Sequence, residues 1–256
     1  MGAFQMDVYV QRAADLCPAL IRLLRAHEGD ATLERALDEL GRWDHQFDVQ
    51  SVGASIYQAC TLRWGRRIAA ERFPEHLRAL AATAGSFVAH ELIVDGNNGW
   101  FTSQASLEQA LEEAMVAALA WLTETLGPDV AGWTWGRLHP VTFTHALGAQ
   151  YPALADVMNV GPFPCAGATG ALNQQGFAER RLLETVSGPH YRFVADMGDP
   201  ATALGCNTTG VSGNPSSPYY ADQTDDWLHG RYHEVSLDRA VVDAEATGRT
   251  IIAPPG

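Results

Sequence analysis

The chain changes texture at Gly127-Pro128, and this change constrains the fold class more than any other feature. Before it, apolar residues recur at helical spacing. After it, Gly, Pro, Thr, aromatic and β-branched residues replace the Ala/Leu periodicity. From Asp7 to His27, Val10, Ala13, Ala14, Cys17, Leu20, Ile21 and Leu24 follow the i, i+3, i+4, i+7 spacing of one buried helical stripe, and Pro18 marks a place for a kink. A second helix is expected from about Ala31 to Leu40, and a third, capped by Asp48 or Ser51, to about Ala70. A fourth is expected over about Pro74 to Leu92. The fifth has a capping-box pattern in Ser106 and Gln109 and stops at Gly127-Pro128.

Beyond Pro128, strands are expected at Val141–His145, Arg181–Thr185, Tyr191–Asp196 and Thr250–Ala253, between turn-rich segments such as Gly161–Gly170 and Gly210–Ser217. Arg192 and Val194 alternate with Phe193 and Ala195, as in a strand between a solvated and a packed layer. With no repeat and no low-complexity linker, residues 1–256 read as a single α+β unit, with helices over about 7–127 and strands and loops over about 128–256.

The 256 residues carry 17 Lys+Arg against 30 Asp+Glu, a formal charge of −13. Nucleic acid is excluded as a general partner, since a phosphate backbone needs a basic face. No apolar run reaches the roughly 20 residues that span a bilayer, so no membrane is expected as a partner. With 46% hydrophobic and 18% charged residues the chain belongs to the folded, not the disordered, class. Met1 and the residues after it have neither a basic nor an apolar leader region, so no signal peptide is expected here. Cys17, Cys60, Cys165 and Cys206 are widely separated. That spacing excludes a zinc ribbon or dithiol site and leaves open buried thiols or one or two disulfides.

Residue chemistry singles out several groups without joining them. Gly210-Val211-Ser212-Gly213 approaches a nucleophile elbow, but Asn214 stands where that motif needs Gly. His229 and His233 have the i, i+4 spacing of helical metal ligands, with Asp225 and Asp226 near; Gly230 weakens that helix and no Glu intervenes. A self-contained metal hydrolase using His229, His233 and Asp225 or Asp226 is the weakest alternative, and a surface His pair is the expectation. His139, His145 and His190 flank strands and read as hydrogen-bonded structural residues. Asp196 and Asp199 read as turn formers, the second before Pro200. Trp133 and Trp135 read as core anchors.

The tail carries a resemblance. Ser187-Gly188-Pro189-His190-Tyr191-Arg192-Phe193-Val194-Ala195-Asp196-Met197-Gly198-Asp199, then Gly210-Val211-Ser212-Gly213-Asn214-Pro215-Ser216-Ser217-Pro218-Tyr219-Tyr220-Ala221-Asp222-Gln223 and Trp227, resemble the end of the penicillin acylase (penicillin amidase) β chain. Upstream, Trp133-x-Trp135-Gly136-Arg137-Leu138-His139-Pro140-x-x-Phe143-x-His145-x-Leu147-Gly148 is similar to the segment between that family's long helices and late strands. Trp43-Asp44, Ser51 to Tyr57 and Asp95 to Trp100 follow the same order. The chain departs from the pattern at Val211, where the family often has Gln, at Ala146, where it has Pro, and in the Gly161–Gln175 loop with its Cys165.

The resemblance covers essentially the whole chain and implies the C-terminal half of a β chain, part of an αββα N-terminal nucleophile hydrolase sandwich. It implies hydrolysis of linear amides through an acyl-enzyme formed by a β-chain N-terminal Ser. A small-molecule acyl amide would be the substrate, and the N-terminal part of the β chain and the α chain the partners. It also implies export to the periplasm or beyond. The family's nucleophile, oxyanion-hole Asn, active-site Arg and Ca²⁺ ligands fall upstream of Met1. Catalytic and substrate-binding residues are therefore unknown in this sequence, and no metal or cofactor is expected. Gly2 offers no side-chain nucleophile, and Asn97-Asn98-Gly99-Trp100 mimics a β-chain start without its Ser. The isolated chain is expected to be inactive; the alternative is an inactive truncated module that packs against a partner.

Overall fold

The computed structural model describes residues 1–26, 30–84, 86–180 and 182–252. Its helices are α1 (Gly2–Gln5), α2 (Gln11–Leu24), α3 (Ala31–Arg42), α4 (Val52–Arg72), α5 (Glu75–Ala84), α6 (Ser86–Val94), α7 (Gln104–Leu126), α8 (Trp135–Leu138), α9 (Ala146–Gln150), α10 (Ala155–Met158), α11 (Thr224–His229) and α12 (Arg239–Glu245). Its strands are β1 (Pro140–Phe143), β2 (Val160–Pro164), β3 (Gly176–Glu179), β4 (Leu183–Ser187), β5 (Tyr191–Asp196), β6 (Asp199–Asn207) and β7 (His233–Ser236). The class is α+β: every long helix precedes Gly127, and every named strand follows it.

The chain forms two compact units. The larger takes Asp7–Thr142 and Gly161–Gly188; the smaller takes Met1–Met6, Phe143–Val160 and Pro189–Gly256. This partition does not follow the helix-to-strand boundary, because residues 128–142 and 161–188 fold with the long helices.

In the larger unit, Leu16, Cys17, Leu20 and Leu24 form the buried stripe of α2, which runs through Pro18. Asp30 caps α3 by accepting from Thr32 and Leu33 N–H, and Ser51, of the two candidates, caps α4 by accepting from Ala54 N–H. The longest pairing is α4 against α7. On these two helices Ile56, Leu107, Leu111 and Leu122 are fully buried, each side chain contributing about 1.5–3 kcal/mol. The helix expected over about Pro74 to Leu92 corresponds to α5 and α6, between which Gly85 lies outside the described residues. One expectation is corrected. The fifth helix begins earlier, because Ser103 is its cap and Ser106 its reciprocal partner. A hydroxyl at the third helical position returns the bond that Gln109 was expected to make.

The sheet of this unit has the order β2-β1-β4-β3, with residues Phe143 and Val160 at its boundary. β1 runs parallel to β4, with Val141 opposite Thr185, and β3 runs antiparallel to β4, with Phe177 opposite Thr185. The strand expected at Arg181–Thr185 is shifted to Leu183–Ser187, and Arg181 lies outside the described residues. The strand expected at Val141–His145 ends at Phe143, because His145 turns to cap α9.

The smaller unit has the sheet β5-β6-β7, antiparallel throughout. β5 covers Tyr191–Asp196 as expected, and its alternation is present, but the packed layer holds the cation. Arg192 is 2% exposed, while Tyr191 and Phe193 are 45% and 47% exposed. Opposite Arg192 in register is buried Cys206. Arg192 Nη1 donates to the carbonyl of Trp227 on α11, and its guanidinium carbon lies 4.5 Å from that ring's centroid. The Trp227 indole donates to the Pro189 carbonyl at 2.9 Å and meets Phe143 edge-on at 5.4 Å. The face of the Trp227 ring, the negative side of its quadrupole, covers and attracts the guanidinium on the core side of the strand. Of the strand expected at Thr250–Ala253, Thr250–Ile252 lie outside any strand, and Ala253 lies outside the described residues.

Candidate functional site: a buried histidine in an aromatic knot

Within the larger unit the aromatic residues of three sequence-distant segments meet. Trp43 and Phe47 come from the turn before α4, Tyr57 from α4, and Trp135 and His139 from α8 and its end. Phe47 lies edge-on to Trp43, Tyr57 and Trp135 at centroid distances of 5.2, 6.1 and 5.1 Å. Such pairs contribute about 0.5–1.5 kcal/mol each beyond the area they bury. His45, between Tyr9 and Trp43, holds the left-handed φ of 63° that turns the chain there.

Backbone bonds tie these segments. Trp135 N–H and Gly136 N–H donate to Ser51 and Val49 carbonyls at 2.9 and 2.8 Å. Gly167 N–H donates to the Phe47 carbonyl at 2.8 Å, and the Gly167 carbonyl accepts the Trp135 indole at 3.0 Å. Two glycines are needed for this closeness. A Cβ on Gly53 would stand 2.4 Å from Trp43 Cγ, and one on Gly167, whose φ is +101°, would stand 2.3 Å from the Asn173 carbonyl oxygen.

His139 is fully buried and stacks on Trp135 with centroids 4.5 Å apart. Its Nδ1 lies 2.7 Å from the Leu183 carbonyl and its Nε2 3.0 Å from Thr185 Oγ1. A carbonyl only accepts, so Nδ1 carries the proton and Nε2 accepts from the Thr185 hydroxyl. Burial pushes the imidazole pKa down to about 4, partly offset by the Leu183 bond. The Thr185–His139–carbonyl order imitates a nucleophile, base and orienter. An enclosed base this weak is poorly matched to proton transfer near neutrality. What the arrangement does is join the end of α8 to β4, two residues before the register pair Val141–Thr185.

Beside Trp43 opens a shallow cleft of about 310 Å³ lined by Glu39, Arg42, Asp44, Gln46, Asp48 and Ser51. Arg42 pairs with Glu39 at 2.9 Å, and the Ser51 hydroxyl is engaged as the α4 cap at 3.2 Å. The cleft brings no histidine to its one hydroxyl.

The other residues singled out in the sequence remain apart. Ser212 accepts from Asn214 N–H within its loop, a turn and not an elbow. His229 ends α11, Gly230 follows at φ 66°, and His233 lies on β7, so the two histidines do not share a helix face. Arg231, which no motif singles out, takes the carboxylates, pairing with both Asp225 and Asp226. This corrects the metal-hydrolase alternative: the i, i+4 spacing needs a continuous helix, and the left-handed glycine ends it. Among the described residues no three His, Cys, Asp or Glu side chains group around a cation position. His145 accepts from Leu147 N–H, and His190 is exposed. Asp196 accepts from Gly198 N–H and β6 begins at Asp199, so the turn is Met197-Gly198 and the Asp199-Pro200 turn is corrected. Trp133 and Trp135 are core residues, both fully buried. All four cysteines are buried; burial pushes the thiols of Cys17 and Cys60 up to about 12, which leaves them unreactive near neutrality. Thr185 was invisible in the sequence, because its meeting with His139 depends on strand register.

No described helix is long and apolar enough to cross a membrane. The sequence profile of the family described as penicillin amidase matches residues 1–244. The acyl-homoserine lactone acylase QuiP of Pseudomonas aeruginosa (strain PAO1) is 28% identical over 250 residues, which are 89% of this chain and 29% of that protein. The penicillin acylase 2 proenzyme of Pseudomonas sp. (strain SE83) is 29% identical over 237 residues, 88% of this chain and 30% of that protein. The protein named QuiP in Pseudomonas fluorescens (strain Pf0-1) is 34% identical over 122 residues, 48% of this chain. The chain thus spans about three tenths of the length of the relatives it matches most fully.

Proposed function

The chain belongs to the penicillin amidase family, and from this premise we propose that it is the C-terminal β-chain portion of an amide hydrolase that acts through an acyl-enzyme. The observation that carries the reading is the family match over residues 1–244, together with two relatives named as acylases that cover nearly nine tenths of the chain. The aromatic knot supports it in a negative sense: it spends its histidine, its indoles and its glycines on joining segments, as a scaffold does, and offers no accessible nucleophile and base. In this reading a serine at the start of a longer β chain attacks the amide carbonyl, and its own α-amino group moves the proton. Backbone and side-chain donors hold the oxyanion, and water then releases the acid. These groups come from the polypeptide that completes the enzyme, exported in the manner of the family.

The purified chain alone is expected to give no hydrolysis of an aryl-acetyl, fatty-acyl or acyl-homoserine lactone amide above the buffer rate. The assembled α and β chains from the native source are expected to turn over at least one. Turnover by the isolated chain, proportional to its concentration and retained through further purification, overturns the reading.

A further inference from the structure

The link between α6 and α7 contains Asn97-Asn98-Gly99-Trp100, the motif that imitates a β-chain start without its Ser. The fold treats its two asparagines in opposite ways. Asn97 is clamped: its Oδ1 accepts from Phe101 N–H at 3.0 Å, its Nδ2 donates to the Phe101 carbonyl at 2.9 Å, and its own N–H donates to Gln104 Oε1 at 3.0 Å. Asn98 is exposed, and among the described residues its side-chain amide makes no hydrogen bond.

Gly99 completes the contrast. It is exposed, it holds a left-handed φ of +89°, and a Cβ on it would meet nothing within 4 Å. Among the described residues its N–H donates to no backbone group. Its carbonyl and that of Trp100 both accept from the Arg72 guanidinium, the second at 2.8 Å. Farther on, the Trp100 indole donates to the Ile68 carbonyl at 3.1 Å, and Phe101 stacks on Trp64 with centroids 5.8 Å apart. Both sides of the link are therefore fixed, while the Asn98–Gly99 peptide between them has room to turn.

A peptide in that setting can react with its own side chain. Once base takes the Gly99 amide proton, the nitrogen attacks Asn98 Cγ, a C–N bond forms, and the side-chain nitrogen gains a proton and leaves as ammonia. The product is a five-membered succinimide. Water then opens it at either carbonyl. Attack at Cγ gives aspartate in an ordinary main chain; attack at the former main-chain carbonyl gives isoaspartate, whose main chain runs through Cβ. Ring closure within one dipeptide has the advantage of an intramolecular reaction, and glycine offers no side chain to obstruct it. Of the six asparagines, only Asn98 precedes glycine. Asn159 and Asn207 precede branched Val160 and Thr208, and Asn214 precedes Pro215, which has no N–H.

We propose that Asn98-Gly99 is a self-modification site, at which the folded chain converts Asn98 through a succinimide to aspartate and isoaspartate. The change adds one negative charge beside the residue that Arg72 holds, and the isoaspartate form lengthens the main chain between the Asn97 clamp and the Arg72 grip.

The test incubates the purified full chain under folding conditions at a series of neutral to mildly alkaline pH values. Samples are digested at acid pH, which stops further ring closure, and the peptide containing both asparagines is read by mass spectrometry with electron-transfer fragmentation to separate aspartate from isoaspartate. Asn98 is expected to take on the amide-to-acid mass change at least about tenfold faster than Asn97, with both products present and the rate rising with pH. Gly99→Ala is expected to slow the change at least about tenfold, but it strains a left-handed position. Asn98→Gln keeps the amide and requires a larger ring, so it carries the same expectation without that strain, and circular dichroism confirms that each variant folds. An Asn98 that stays intact, a rate equal to that of Asn97, aspartate without isoaspartate, or an unchanged rate at the same position in Asn98→Gln overturns the site. None of these results touches the hydrolase reading, which fails instead on turnover by the isolated chain.

Discussion

The two units solve the same problem, burying a polar side chain against tryptophan, with opposite results for their surroundings. In the larger unit His139 is neutral, stacked on Trp135, bonded through both ring nitrogens and enclosed by aromatic neighbours. In the smaller unit Arg192 is charged, covered by Trp227, and set on an edge strand whose other face exposes Tyr191 and Phe193. The first closes its segments on one another. The second covers its cation and leaves its aromatics outside. The difference teaches that burial of a polar group says little about whether a surface is finished; what matters is where the apolar residues of the same strand point.

Breaking the closed region should cost most. Trp135→Ala removes a fully buried indole and its bond to Gly167, and is expected to lower stability by about 3–5 kcal/mol in urea denaturation. Acid should act on the same place with a definite sign. The folded His139 pKa is lowered to about 4 from an ordinary 6.5, so the unfolded chain binds the proton more readily. The stability contribution is fully present above pH 6.5 and is lost as the pH falls toward 4, about 3 kcal/mol across that window. His139→Gln should flatten this part of the pH–stability profile, while the carboxylate part remains; equal slopes for parent and variant would remove His139 from the account.

Smaller effects sharpen the contrast. Gly53→Ala sets a methyl against Trp43 and is expected to cost about 1–3 kcal/mol, read as a lower thermal midpoint. Ser103→Ala removes the cap of α7 and is expected to cost about 1 kcal/mol, with exchange rising first at the start of that helix. Phe193→Ser on the exposed face of β5 is expected to change the stability of the isolated chain by less than about 0.5 kcal/mol. A loss comparable to that of Trp135→Ala would show that this face is already packed, and the contrast between the units would be gone.

The parts legible in the sequence were those that depend on local period and local breakers. The stripe of α2 and the extent of β5 follow from spacing alone, and the stop of α7 follows from Gly127-Pro128. The true cap of α7 was misplaced, because a serine-to-serine capping pair is a weak local signal. The pairing of Thr185 with His139 was out of reach: 46 residues separate them, and only the parallel register of β1 with β4 brings them together. The inward phase of Arg192 was also hidden, since hydropathy assigns the arginine to solvent and Phe193 to the core. The cover that reverses this, Trp227, comes 35 residues later. For the metal-ligand pair the spacing was right and the helix was not, because Gly230 ends α11 before His233.

The central proposal is that this chain is a scaffold part of a family hydrolase whose nucleophile lies on additional polypeptide. Intact mass and N-terminal sequencing of the native product tests it most directly. The account predicts a β chain longer than this one that starts with serine and is accompanied by an α chain. A native product of 27.7 kDa starting at Met1 or Gly2, with no accompanying chain, would contradict it.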